Sequence, residues 1–235
     1  MSADGDDGPS DAVVPRVQPG PRFAKAVKYA AAVHATQTRK GGDTPYLAHL
    51  LGVAALVLDH GGSETEAIGA LLHDSIEDAG VTAKQLRKRF GPKVARIVID
   101  CTDVRIVDGR DKRSKAARKS RDRVASRSAK NWSKRKRRSI RHLADPDTAT
   151  AVLRVRAADL LWNARSINAD LRRFGPEVWL RFHAGAVDQL WYYRSCAVVL
   201  SQRLPGTLTD ELRVAVGEME RLAGWWFDVG DPQGA

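Results

Sequence analysis

Apolar residues recur at helical spacing through almost the whole chain, and nowhere do they alternate over a useful length. That pattern restricts the fold to packed helices. The first helical stretch, RFAKAVKYAAAVHATQTRK, is predicted to run from Phe23 to about Thr38. The next opens at Pro45, a residue suited to a first helical turn, and stops at Gly61-Gly62. Ser63 with Glu66, and Thr82 with Gln85, have the spacing of capping boxes. They predict helices that end at Gly80 and Gly91. Further helices are expected from about Pro92 to Asp100, across ATAVLRVRAADLLWNARSINADLRRFG, as one long helix after Pro176, and over TDELRVAVGEMERLAGWW. The fold class is an all-α bundle.

A length of 235 residues suits one domain, or two small ones. Residues 1–21, rich in Asp, Gly and Pro, predict a disordered tail. They contain no basic and apolar run of the kind a secretory signal needs. Residues 22–204 form the expected domain, and 205–235 a C-terminal helix and tail. No apolar run approaches the roughly 20 residues of a membrane span, so no membrane partner is expected. Cys101 and Cys196 lie far apart in apolar surroundings, which suits two buried thiols in a reducing cytoplasm. The net charge of +11 is concentrated in one place. From Arg105 to Arg141, seventeen Lys and Arg residues face only Asp108, Asp111 and Asp122, and the rest of the chain is mildly acidic. This basic insertion should be solvated, and mobile or only partly helical. It fits three uses: a solvated insertion, an electrostatic funnel for an anionic substrate, or a surface for nucleic-acid phosphates. Trp132 is its one aromatic residue, which is little support for base stacking.

The apolar segment EAIGALL runs directly into HDSIEDAG. Burying such polar groups without partners is costly. On a helix, His73 would share a face with Glu77, and Asp74 with Asp78. A solvated helix end could look the same. The imidazole set directly before a carboxylate also suits a divalent cation, which would need ligands from other segments. His49, one turn into the helix opened by Pro45 and Tyr46, is one candidate. Asp159, an acid between apolar residues, is another. Each alone is the pattern of an ordinary core or surface residue more often than of a ligand. With Asn163 and Ser166, however, Asp159 forms a polar stripe at i, i+4 and i+7.

RKGGDTPYLAHL, ALLHDSIEDAG, FGPKVARIVIDCTDV and RAADLLWNARS, in that order, resemble the HD-domain hydrolases of the RelA/SpoT family, and in particular its small alarmone hydrolase type. The resemblance covers about Phe23 to Leu204. It implies an HD-domain helical bundle carrying the basic, partly disordered insertion. It also implies metal ligands at His49, His73, Asp74 and Asp159, with manganese as the usual ion, and a catalytic pair at Glu77 and Asp78. Arg39, Lys40, Asn163 and Ser166 would meet the nucleotide, with Tyr46 among the substrate-binding residues. The implied reaction is hydrolysis of the 3′-pyrophosphate of guanosine tetra- or pentaphosphate to GDP or GTP.

The residue types suit that chemistry. A bound cation makes water a better nucleophile, and a carboxylate nearby can take its proton. Arg39 can stack on a purine or grip phosphate, while Lys40 offers a point charge. An ordinary basic helix end would explain the same two residues. His34 is read as a supporting or core histidine. Leu50, Leu160 and Trp162 depart from the family pattern and are expected on the nucleotide side, where they would bear on base and phosphate preference. Two other functions are carried alongside: the same chemistry on an adenosine analogue or NADPH, and non-enzymatic nucleic-acid binding on an HD fold.

Overall fold

The computed structural model describes residues 17–102, 129–182 and 184–229, with side chains left out at 129–131 and 225–229. The expected tail up to residue 16, the insertion from 105 to 128, and His183 lie outside the described residues. Among the described residues the chain is all α, with one isolated bridge between Thr38 and Pro45 and no strand. The helices are α1 (Pro21–Val33), α2 (Tyr46–Asp59), α3 (Glu64–Leu72), α4 (Ala83–Phe90), α5 (Pro92–Cys101), α6 (Ala129–Ala144), α7 (Thr150–Phe174), α8 (Ala186–Arg203) and α9 (Thr207–Val229). A 3₁₀ turn, Gly175–Arg181, follows α7.

Helix α3 is the hub. Every residue from Glu66 to Leu72 is buried, and α1, α2, α5 and α7 pack around it. Both capping boxes form. Ser63 accepts from the Glu66 amide while Glu66 reaches back to the Ser63 amide, and Thr82 and Gln85 do the same for α4. On the other side of α7, α9 brings Leu212 and Met219 into the core. Both cysteines are buried as thiols, with no disulfide between them.

Three elements differ from the sequence expectation. Helix α1 ends at Val33 rather than near Thr38. The following residues pair with the start of α2 instead: Tyr46 N donates to Gln37 O at 2.9 Å, and Arg39 N to Thr44 O at 2.9 Å. Helix α3 ends at Leu72, not Gly80, because side chains claim the last carbonyls. His73 Nδ1 meets Ala70 O at 2.7 Å, and the Ser75 hydroxyl donates to Leu72 O at 2.7 Å. Residues 73–78 then continue as turns to Gly80, whose φ of +68° suits a residue without Cβ. The single helix expected after Pro176 is broken. Val178 and Trp179 are buried in the 3₁₀ turn, Arg181 reaches back to Asp170 at 2.9 Å, and extended backbone at Phe182 and Gly185 precedes α8.

The insertion's described end is helix α6. It carries seven basic residues and no acid. Trp132 and Leu143 are buried, Trp132 lies edge-on to Tyr192, and Lys136 and Arg137 sit over the Tyr192 and Trp191 rings of α8. Trp132 is therefore a packing residue, closed off from any base.

Leu50, Leu160 and Trp162, expected on the nucleotide side, all take part in packing. Leu50 and Leu160 are core residues. The six-membered ring of Trp162 fills the space over Gly52, where a Cβ would stand 2.3 Å from its Cη2 atom. The glycine in α2 and the tryptophan in α7 form one packing unit.

Candidate metal centre

Four ligand-type side chains converge where α2, α7 and the end of α3 meet. His49 comes from the first turn of α2, His73 caps α3 with Asp74 beside it, and Asp159 lies midway along α7. The ligand atoms of His49, His73 and Asp74 all lie within 4.8 Å of one another. Asp159 Oδ1 is 3.5 Å from His49 Nε2 and 3.6 Å from His73 Nε2. Both histidines are 2% exposed, so water cannot satisfy them.

Three of the four ligands are oriented by a group behind them, whereas His49 Nδ1 is buried without a hydrogen-bond partner. The contact between His73 Nδ1 and Ala70 O fixes the ring, with the Nδ1 proton on the carbonyl and Nε2 turned toward the cluster. Tyr46 donates its hydroxyl proton to Asp74 Oδ2 at 2.5 Å. Asn163 Nδ2 donates to Asp159 Oδ1 at 2.7 Å, and Arg39 donates to Asn163 Oδ1 at 3.2 Å. On the far side, Arg156 pairs with Asp159 Oδ2 at 3.5 Å.

The protonation pattern follows from this crowding. Burial lowers His49 to about 4, and it is neutral at physiological pH. Burial also opposes charge on His73, but the Asp74 and Asp159 carboxylates prevail and hold its pKa well above the ordinary value. Burial likewise opposes ionisation of Asp74 and Asp159, and the histidines outweigh it, so both carboxyls titrate below their ordinary range. Burial and the neighbouring Asp74 raise Tyr46 far above the ordinary phenol value, so its proton stays in place.

This donor set fits a divalent cation. His73 Nε2 is buried without a hydrogen-bond partner, although Asp74 Oδ2 lies 3.0 Å away. Two imidazoles with two carboxylates form the mixed N/O set that such ions take.

The other residues singled out in the sequence occupy different positions. Asp78 is at the rim, where Gln37 Nε2 donates to its Oδ2 at 2.8 Å. Burial and the charge on Asp74 raise its pKa, and the Gln37 bond partly offsets this. Glu77 and Lys40 are exposed, and Ser166 is half-buried one turn beyond Asn163. His34 is buried, with Nδ1 on Gln37 Oε1 at 2.7 Å. Sequence reasoning missed Gln37 and Arg156. Gln37 sits between His34 and Arg39 without a motif of its own, and Arg156 stands three residues before Asp159 as one arginine among many.

Comparison with known proteins gives a consistent result. The HD domain family model matches residues 26–185. The chain is 32% identical over 158 residues to guanosine-3′,5′-bis(diphosphate) 3′-pyrophosphohydrolase MESH1 of Xenopus tropicalis, covering 66% of this chain and 72% of the relative. It is 39% identical over 84 residues to GTP pyrophosphokinase rsh of Brucella ovis, covering 36% of this chain and only 11% of that much longer protein. In fold it is similar to a solved structure described as a metazoan ortholog of SpoT that hydrolyzes ppGpp. That match has a TM-score of 0.59 and 23% identity, and covers 88% of this chain and 98% of the other.

Proposed function

The chain belongs to the HD-domain family, and from that premise we propose that it is a divalent-metal hydrolase of the 3′-pyrophosphate of guanosine tetra- or pentaphosphate, using manganese. The convergence of His49, His73, Asp74 and Asp159 beneath a rim bearing Asp78 and Arg39 is the observation that carries this reading. It agrees with the activity named for the Xenopus relative.

When bound, the cation would lower the pKa of a water ligand and stabilise charge on the phosphoryl oxygens. The chain's own residues supply the rest. Asp78, whose pKa is raised, is a better base than an ordinary aspartate. It takes the proton as a water oxygen bonds to phosphorus and the phosphorus–3′-oxygen bond breaks, and the 3′-oxygen takes up a proton from solvent, giving pyrophosphate and GDP or GTP. Glu77 stands beside it on the same turn. Arg39 and Lys40 bring cationic charge to the rim, and Arg39 is steadied by Asn163. Tyr46 keeps Asp74 oriented while standing close to the substrate, and Ser166 extends the polar face of α7 beyond Asn163. Two buried thiols and the absence, among the described residues, of any helix long and apolar enough to cross a membrane suit work in the cytoplasm.

The test uses metal-stripped protein and ppGpp. Pyrophosphate should appear only after manganese is added. Turnover of ppApp or NADPH alone, in a parallel panel, would keep the chemistry and replace the substrate. Silence on every nucleotide by folded, metal-loaded protein would end the enzyme reading.

Gln37 gives a second prediction. Its amide is oriented by His34 and holds Asp78, so it acts as a positioning residue. Gln37→Ala should lower kcat about tenfold with little change in KM, in line with other supporting contacts. Gln37→Glu should be worse, because it places a second negative charge against Asp78. Steady-state kinetics of both variants decide this, and an effect confined to KM would assign Gln37 to substrate binding instead.

A further inference from the structure

A cleft of about 530 Å³ opens between the C-terminal end of α5 and helix α6. Its polar lining includes Asp100, Arg135, Arg138, Ser139, His142 and Arg156, with Ile99 and Leu143 as apolar wall. Gln37, Arg39, Tyr46, Asp78 and Asn163, the rim of the metal centre, are not part of its lining.

The charge balance of this cleft is uneven. Three guanidinium groups line it with one carboxylate, Asp100, which Arg96 already binds at 2.7 Å, and since Arg156 is paired with Asp159 the excess charge lies on Arg135 and Arg138. Arg135 and Arg138 have no hydrogen-bonded or ion-paired partner among the described residues. His142 Nε2 is buried without a partner. The Cys101 thiol in the wall is pushed up to about 12 by burial, so it adds no negative charge. Guanidinium groups beside a hydroxyl and an imidazole are the donors that phosphate oxygens take. The volume lies within the roughly 300–1,000 Å³ of small-molecule sites.

Arg156 joins this cleft to the metal centre. It is 8% exposed, donates to Ser139 Oγ at 3.0 Å and Tyr192 Oη at 2.8 Å, and turns its other nitrogen toward Asp159 Oδ2. We propose that the α5–α6 cleft is a second anion site, taking a small molecule with at least two phosphoryl charges and coupled to the metal centre through Arg156. An anion in the cleft offsets the positive charge that Arg156 places beside Asp159, and so favours a cation on the other side of that carboxylate. By linkage, the cation favours the anion equally.

Binding can be tested without turnover, and therefore independently of the proposed reaction. Inorganic pyrophosphate is titrated calorimetrically into metal-free full-length protein carrying Arg39→Ala and Lys40→Ala, which removes the cations of the catalytic rim. Binding should persist there. Adding Arg135→Glu and Arg138→Glu, both at partly or fully exposed positions, should weaken it at least tenfold. Adding Asp159→Asn instead should tighten it severalfold by releasing Arg156. Binding lost with Arg39 and Lys40, or indifferent to the reversed charges, would place the anion at the catalytic rim and overturn the proposal. Unchanged affinity in Asp159→Asn would overturn the coupling. Binding of an oligoribonucleotide but not of pyrophosphate would assign the cleft to a strand-binding face and overturn it as a small-molecule site.

Discussion

Asp74→Asn is expected to reduce turnover roughly a thousandfold, a loss of about 4 kcal/mol of transition-state stabilisation, while the protein stays folded. Asparagine keeps the shape of the side chain and can still accept the Tyr46 proton. What disappears is one negative charge, 3.0 Å from His73 Nε2 and 3.8 Å from His49 Nε2. The same charge is the main reason that His73 holds a proton in the metal-free protein. A cation must displace that proton, because the lone pair on Nε2 cannot serve both. His49, lowered to about 4, has no proton to lose at neutral pH. Because the folded pKa of His73 is raised, the proton competes at and above the ordinary histidine value of about 6.5. Apparent metal affinity should therefore rise with pH through neutrality and weaken as the solution is acidified. Calorimetry of manganese binding in two buffers of different ionisation heat should find about one proton released per ion in the wild-type protein. In Asp74→Asn the metal should bind far more weakly and release less. Wild-type metal affinity in that variant, with an unchanged rate, would remove Asp74 from the ligand set.

The sequence carried the helical architecture because its signals are local. Periodicity, Pro45, the Ser63–Glu66 and Thr82–Gln85 pairs and the stop at Gly91 each act within one or two turns. The errors came where a side chain overrode the backbone pattern. His73 and Ser75 take carbonyls that would have continued α3, and the Gln37–Tyr46 contact ends α1 early. In the site, the polar residues were visible as anomalies on apolar helices. Their supports were not, because Gln37, Arg156 and the Ala70 carbonyl have no distinctive composition and act across distances that only the fold defines. Trp162 shows the reverse case. It looked like a substrate-facing departure in sequence, and in space it is the partner of Gly52.

Glu66 joins these two kinds of information in one side chain, and its replacement should have the largest effect on stability. Its Oε2 closes the capping box, accepting from the Ser63 amide and hydroxyl at 2.7 Å each. That half is legible from SETE alone. Its Oε1 binds Arg154, eighty-eight positions away on α7, and nothing local announces that half. Glu66 is 7% exposed, and the pair ties the start of α3 to the helix that presents Asp159. Losing the cap costs about 1 kcal/mol. Removing one partner of a buried ion pair costs about 3–5 kcal/mol, less here because the Arg154 side chain keeps 21% of its surface in water. Glu66→Ala should thus lose about 3 kcal/mol, or roughly 6–12 °C in Tm for a chain of this size. Glu66→Gln keeps an acceptor for the cap but removes the charge, and should lose about half as much. Thermal unfolding of the two variants separates the contributions. Equal losses would show that the ion pair carries the whole effect, and a neutral Glu66→Gln would show that the cap does.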